Sequence, residues 1–243
     1  MKIDITSDVT CAFCLIGLKQ LLAAIETYKA NNQDVDFNIR FLPYQLNPQL
    51  TESPISKLDF YKMKFGEEKT KRIVETLPAK YASVGCKCDS SGAISSTHLA
   101  HRLQTYTLCY HPSSQLPLAL DVLMGYHSEG KHPSDKSWLS SLAVKHGIFE
   151  NGAKAKEWLD GNECDVEVNK AYVTAKRLGV TGVPFFVFQD KYAASGAMGT
   201  KEFVNLLEEV QRRENILKEK PMSVLPTVDR ETCILSQDKT CTC

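Results

Sequence analysis

The stretch Ser7-Asp8-Val9-Thr10-Cys11-Ala12-Phe13-Cys14 decides how this chain is read, because it sets two cysteines, two residues apart, where a short alternating pattern gives way to a helical one. Upstream, Ile3 and Ile5 alternate with polar neighbours over residues 2–6, the period of a half-buried strand. Downstream, Leu15, Leu18, Leu21, Leu22 and Ile25 recur at helical spacing. The cysteines therefore straddle the first turn of a predicted helix. Unpaired backbone N–H groups and the positive end of the helix dipole favour a thiolate at Cys11, and the thiolate is the form that attacks disulfides. Cys14, one turn on, shares the same face and can close a disulfide with Cys11.

Working outward, the helix should fade near Asn31-Asn32, and residues 35–41 then alternate strictly between apolar and polar, the clearest strand in the sequence. Pro43 ends it and residues 44–48 read as loop. Strand, helix and strand in this order suggest a parallel βαβ pair. From about Ser53 to Gly179 no convincing strand is visible. Helical patterns follow one another instead, over 55–65, 67–84, 97–110, 113–127, 135–146, 153–159 and 165–178, with Gly66, Gly85, Gly147 and Gly179 as terminators. Ser96 or Thr97, and Ser134 or Asp135, are plausible N-caps. Pro117 is read in the first turn of its helix, where proline is tolerated, whereas Pro78 should kink or break its own.

Strands resume at Pro184-Phe185-Phe186-Val187-Phe188, an apolar run of the kind buried on both faces. Residues 189–191 form a tight connection to a hairpin partner at 192–195. Thr200 then caps an amphipathic helix running to about Leu217, with Phe203, Leu206, Leu207 and Val210 on one face. The expected fold class is α/β. Residues 1–52 and 180–218 make one discontinuous domain, 53–179 an all-helical insertion, and 219–243 a cysteine-containing tail.

Composition narrows the partners. The chain has 243 residues, 43% of them hydrophobic, enough for an ordinary core. Lys plus Arg and Asp plus Glu both total 29, so no net field attracts nucleic acid or an anionic membrane. No apolar run reaches the ~18 residues of a membrane span, and the chain opens Met1-Lys2-Ile3-Asp4 without an apolar signal segment. The expected location is cytoplasmic.

In a reducing compartment, nine cysteines read as catalytic, metal-binding or buried thiols rather than a disulfide framework. C-x-x-C alone resembles half a zinc site, but Cys86-x-Cys88 has the wrong spacing to complete one, and the strand-to-helix setting of Cys11 and Cys14 favours redox chemistry. No metal is assigned. Cys109 and Cys164, in or beside helical patterns, are expected as buried or half-buried thiols. Cys86, Cys88, Cys233, Cys241 and Cys243 are candidate accessory thiols, for a relay or a soft-metal site, set against plain thiols on flexible segments. His98 and His101 lie on one helical face without an apparent acidic partner and are read as packed or pocket-lining.

A second element is Gly179-Val180-Thr181-Gly182-Val183-Pro184-Phe185, where a proline opening a buried strand after two glycines is a candidate cis peptide. Placed opposite Cys11, it would expose the Val183 backbone to an extended substrate strand and withhold a metal ligand.

Four segments carry a family resemblance: Asp8 through Gly17, Leu42-Pro43-Tyr44-Gln45-Leu46-Asn47-Pro48, Ala100-His101-Arg102-Leu103, and Gly179 through Phe188. Together they resemble the DsbA-like thioredoxin-fold oxidoreductases, specifically the FrnE-like branch, over about residues 1–217. The resemblance implies a thioredoxin fold with a large helical insertion, a nucleophilic Cys11, a resolving Cys14, and Pro184 in cis beside the pair. Phe13 and the apolar surface of the insertion near Tyr44 are expected to shape specificity. The nearest relatives usually carry Pro-Trp between the cysteines and the archetypal periplasmic oxidant Pro-His; here the pair is Ala12-Phe13. Without that histidine, and with Asp8 opposing negative charge if its carboxylate points inward, a very strongly oxidising potential is not expected.

The resemblance implies a thiol–disulfide oxidoreductase or isomerase acting on thiol or disulfide substrates, with no bound cofactor and glutathione as a possible redox partner. Two other functions fit parts of the sequence. Hydroxychromene-carboxylate isomerases and kappa-class glutathione transferases resemble this architecture, but they usually have serine at the Cys11 position. The other is a metal-binding or redox-regulated interaction protein that uses the tail thiols.

Overall fold

In the computed structural model, residues 1–32 and 35–219 are described. The elements in order are β1 (Lys2–Ser7), α1 (Ala12–Asn31), β2 (Asn38–Pro43), β3 (Ile55–Ser56), α2 (Lys57–Phe65), α3 (Glu67–Ala82), β4 (Ala93–Ile94), α4 (His98–Tyr110), α5 (Pro112–Ser128), α6 (Lys136–Lys145), α7 (Gly152–Asp160), α8 (Asp165–Arg177), β5 (Phe185–Phe188), β6 (Tyr192–Ser195) and α9 (Thr200–Glu219).

The main sheet has the order β2-β1-β5-β6. β1 runs parallel to β2, with Ile3 opposite Ile39 and Ile5 opposite Phe41, and antiparallel to β5, with Ile5 opposite Phe186. β5 and β6 form the expected hairpin. Its connection places both Gln189 and Asp190 at positive φ, the conformation a twist-matched two-residue turn requires. Along β5, Phe186 and Phe188 are fully buried while Phe185 and Val187 are half-buried, so one face is more completely covered than the other. α1 and α9 pack on the sheet through Leu15, Leu18, Leu21, Phe203 and Leu207, all fully buried.

A second apolar cluster, including Phe60, Leu103, Tyr126, Leu139 and Leu159, lies within the inserted segment. The two clusters are not sealed from each other. Tyr81, Ala119 and Leu123 of the insertion pack into the sheet cluster, and Val9 of the cysteine-bearing loop packs into the helical one.

Several boundaries differ from the sequence reading. The insertion is not all helical, because β3 and β4 pair antiparallel through Ile55–Ile94 and Ser56–Ala93. Two-residue strands are too short to show an alternating period. Residues 35–37 lie outside β2, which runs on instead to Pro43. An edge strand tolerates proline at its end, where the missing N–H faces away from the ladder. Pro78 sits inside an uninterrupted α3. α5 begins one residue earlier than expected, putting Pro112 at its first turn and Pro117 in its interior. Asp135, rather than Ser134, caps α6 by accepting from the Trp138 N–H at 2.9 Å. Ser96, not Thr97, supplies the side-chain oxygen at the head of α4, accepting from the His98 N–H at 3.3 Å.

Candidate active site

The loop between β1 and α1 delivers Cys11 as the N-cap residue of α1, in extended conformation, with its N–H bonded to the Asp8 carbonyl at 3.1 Å. The Cys14 N–H closes the first turn on the Cys11 carbonyl at 3.0 Å. Both cysteines are free thiols and both are buried. The Cys11 thiol donates to the Val183 carbonyl at 3.3 Å, and the Val183–Pro184 peptide is cis. The sequence-distant loop before β5 is thereby set against the cysteine pair. Gly17 makes the approach possible. A Cβ there would lie 3.1 Å from Pro184 Cγ and 3.4 Å from Phe186 Cζ.

The two thiols are electrostatically unequal. The Cys11 pKa is drawn below the ordinary thiol value, first by the Cys14 thiol facing its sulfur and then by the Cys14 and Phe13 N–H groups of the opening helical turn. Burial and the Asp8 charge oppose that lowering. Burial pushes Cys14 well above the ordinary value, and a neighbouring Cys11 thiolate adds to the rise. Cys11 is therefore the sulfur that ionises first and Cys14 the one held as a thiol.

Asp8 does point inward. It is fully buried, with one oxygen accepting from the Leu46 N–H at 2.8 Å and the Thr10 hydroxyl at 3.2 Å, while the other has no hydrogen-bond partner. Burial pushes its pKa up to about 6. His101, from α4, places Nε2 3.8 Å from that unpaired oxygen. From α5, His127 accepts from the Tyr81 hydroxyl across 2.7 Å, and its Nε2 faces the carbonyls of Val9 and Cys11 without closing a full hydrogen bond. Both histidines are held neutral, with pKa values lowered by burial to about 3.

The sequence reading found no acidic partner for His98 and His101. Asp8 faces one, and Asp165 bonds the other at 2.6 Å. Those partners lie 93 and 67 residues away along the chain, so no local pattern could disclose them. Tyr172, His127 and Tyr81 carried no sequence signal either, because buried aromatic residues at helical spacing look like ordinary core.

Beside the pair a groove of about 230 Å³ opens, lined by Ala12, Phe13, Tyr61, Phe65 and Leu77, with Lys64 and Lys80 on its rim. Phe13 is 44% exposed, and Lys80 Nζ lies over its ring at 5.8 Å. Tyr44 does not reach this groove. It is buried with Ala175 and Val180 in a separate small cluster.

The remaining cysteines divide. Cys86 is buried in the same apolar cluster as Cys11 and Cys14, its sulfur 3.6 Å from Met124 Sδ, while Cys88 is half-buried beside Ser90. Cys109 and Cys164, expected as thiols, are disulfide-bonded, which spacing along a helix cannot reveal. Cys233, Cys241 and Cys243 lie outside the described residues. Among the described residues no group of three His, Cys, Asp or Glu side chains could hold a metal ion, and no helix is long and apolar enough to cross a membrane.

The DsbA-like thioredoxin domain model matches residues 2–211. This chain belongs to the DsbA-like thioredoxin domain family. Its sheet, with the inserted helices between β2 and β5, is the thioredoxin-like fold of that family. Among solved structures it is similar to a probable DsbA oxidoreductase from Streptomyces coelicolor, with 24% identity, 96% of each chain covered and a TM-score of 0.76. The cytosolic disulfide reductase DsbM from Pseudomonas aeruginosa is 15% identical, with 88% of this chain and 100% of that one covered at a TM-score of 0.59, and has also been solved with glutathione. A 2-hydroxychromene-2-carboxylate isomerase is 14% identical, covering 89% and 99% at 0.63. No curated protein sequence matches the chain.

Proposed function

We propose that this DsbA-like protein is a thiol–disulfide oxidoreductase or isomerase of the FrnE-like type. The observation that carries the proposal is the setting of Cys11, an ionisation-prone thiol capping α1 and facing the Val183 carbonyl before cis-Pro184. In the reductive direction the Cys11 thiolate attacks one sulfur of a substrate disulfide, and the other leaves as a thiolate. Cys14 then loses its proton and attacks Cys11 Sγ, expelling the second substrate thiolate. The pair is left oxidised by two electrons and the substrate disulfide reduced. The same steps in reverse oxidise a substrate dithiol.

Partners are thiol- or disulfide-bearing proteins or small molecules. Glutathione as a redox partner is supported by its presence in the Pseudomonas reductase structure. Val183 offers its backbone to an extended segment, and the groove at Phe13 offers an apolar wall with a cationic rim. Insulin reduction tests the proposal. Cys11→Ser should abolish it, and full activity in that variant overturns the assignment.

A glutathione-dependent isomerase or transferase is a second reading, favoured by the likeness to the chromene isomerase. A resolving thiol facing Cys11 is unnecessary for that chemistry. Turnover of conjugation substrates by Cys14→Ser protein would establish it. A cytoplasmic location is supported by the cytosolic neighbour and opposed by the bonded state of Cys109 and Cys164, since disulfides persist in oxidising compartments. Trapping the thiols by alkylation in intact cells decides between them.

A further inference from the structure

Cys14 is 2% exposed, and the groove opens on the other side of the pair at Ala12 and Phe13. Any proton that leaves or reaches Cys14 needs a path through the protein. One line of polar groups leads away from the buried side. Asp8, wholly enclosed, has an unpaired oxygen 3.8 Å from His101 Nε2. The other ring nitrogen of His101 lies 2.8 Å from the Tyr172 hydroxyl, which lies 3.4 Å from His98 Nδ1. His98 Nε2 is 2.6 Å from Asp165, whose side chain is 45% exposed. Exposure rises along the line, from none at Asp8 through 2% at His101 and 26% at the His98 side chain.

The donor directions agree. His98 donates its Nε2–H to the Asp165 carboxylate, which leaves Nδ1 to accept from the Tyr172 O–H. The Tyr172 oxygen in turn accepts from His101 Nδ1–H, which leaves Nε2 bare toward Asp8. These proton positions follow from the hydrogen-bond network. The first step, at 3.8 Å, is too long for a hydrogen bond and closes by a small side-chain rotation or through one water.

We propose that Asp8, His101, Tyr172, His98 and Asp165 form a proton relay joining the enclosed side of the Cys11–Cys14 pair to the surface of the inserted helices. The proposal rests on the thiol–disulfide function above. During resolution the proton released by Cys14, as the Cys14–Cys11 bond forms and the substrate thiolate leaves, is taken up by the carboxylate of Asp8, the residue whose backbone carbonyl accepts from the Cys11 N–H. Asp8 then returns its proton to His101 Nε2, His101 Nδ1–H returns one to Tyr172, and Tyr172 returns one to His98. One proton crosses per turnover and no electron moves along the relay. Tyr172 and His98 act through Asp8 and are positioning residues, not catalytic ones.

The test is a single turnover of the reduced protein with glutathione disulfide, acid-quenched and followed by intact mass. It separates mixed-disulfide formation at Cys11 from its resolution by Cys14. Tyr172→Phe and His98→Ala should form the mixed disulfide at the wild-type rate and resolve it about tenfold or more slowly. Added imidazole should restore the His98→Ala rate, and the reduction potential of the pair should stay unchanged, two readouts that simple loss of packing would not give. Melting temperatures report folding, and Asp165→Asn, at the exposed end, serves if either variant fails to fold. Wild-type resolution in either folded variant, or slowing that imidazole does not relieve, overturns the relay. A wild-type protein that forms no mixed disulfide overturns the function itself.

Discussion

The side-chain amide of Gln115 clasps both backbone groups of Phe41, accepting from its N–H at 3.0 Å and donating to its carbonyl at 2.9 Å. Phe41 lies on β2, the edge of the sheet, and Gln115 on α5 of the insertion, so one buried side chain fills a position where a fifth strand would pair. Gln115→Leu keeps the volume and strands both Phe41 groups away from water. A loss of about 2–4 kcal/mol is expected, from the usual penalty for each unsatisfied buried group. Denaturant unfolding measures it, and a loss below about 0.5 kcal/mol would show that the edge finds other partners.

Gly17→Ala should loosen the apposition of α1 and Pro184. Alanine gains about 1 kcal/mol of helix propensity over glycine. The new methyl, however, requires Pro184 and Phe186 to give by a few tenths of an ångström. Expected are slower thiol–disulfide exchange of Cys11 with substrate-mimicking disulfides and little change in melting temperature. A more stable variant with unaltered Cys11 reactivity would mean the proline has slack.

Stability should fall on mild acidification. His101 and His127 stay neutral in the fold down to about pH 3 but charge near pH 6.5 once unfolded, so below 6.5 the unfolded state binds more protons at these sites. Asp8 acts the other way. It holds a proton in the fold below about pH 6 that the unfolded chain releases down to its ordinary value near 4. Between pH 6 and 5 the net difference is about one proton, or a loss of about 1.4 kcal/mol per pH unit downward. In Asp8→Asn the opposing proton is gone and the slope should roughly double. An unchanged slope would place the titration elsewhere.

Asp8→Asn should also lower the Cys11 pKa, because the Asp8 charge works against the thiolate. Thiolate absorbance near 240 nm against pH reads it directly. Combined with the relay, this variant should attack faster and resolve more slowly, a split that general loss of structure would not produce.

Reversing the groove rim tests what it selects. Lys64→Glu with Lys80→Glu should raise KM for a disulfide peptide carrying acidic residues beside its cysteine by about tenfold, corresponding to ~1.4 kcal/mol, and spare one carrying basic residues. Equal effects on both peptides would remove the two lysines from recognition.

The parts of this architecture governed by local periodicity were legible in the sequence. The alternation at Ile3 and Ile5, the helical run from Leu15 and the hairpin at Gln189-Asp190 each follow from residues close in the chain. The cysteine pair and Pro184 were visible as types, and the resemblance placed them together. What remained hidden depends on packing between distant segments: Gln115 on Phe41, His101 against Asp8, Tyr172 between two histidines. The bonded state of Cys109 and Cys164 belongs with these. The β3–β4 ladder escaped for a different reason, since two residues cannot establish a period.

The carbonyl of Val183 faces Cys11, and in the dithiol form it already receives the cysteine's hydrogen. Once Cys11 is locked to Cys14 it has no hydrogen to give, and the oxygen is left for the amide of a docking polypeptide. A client amide thus meets a freer acceptor in the oxidised protein than in the reduced one, so completed electron transfer loosens the hold on the product in the oxidising direction and tightens it in the reductive one.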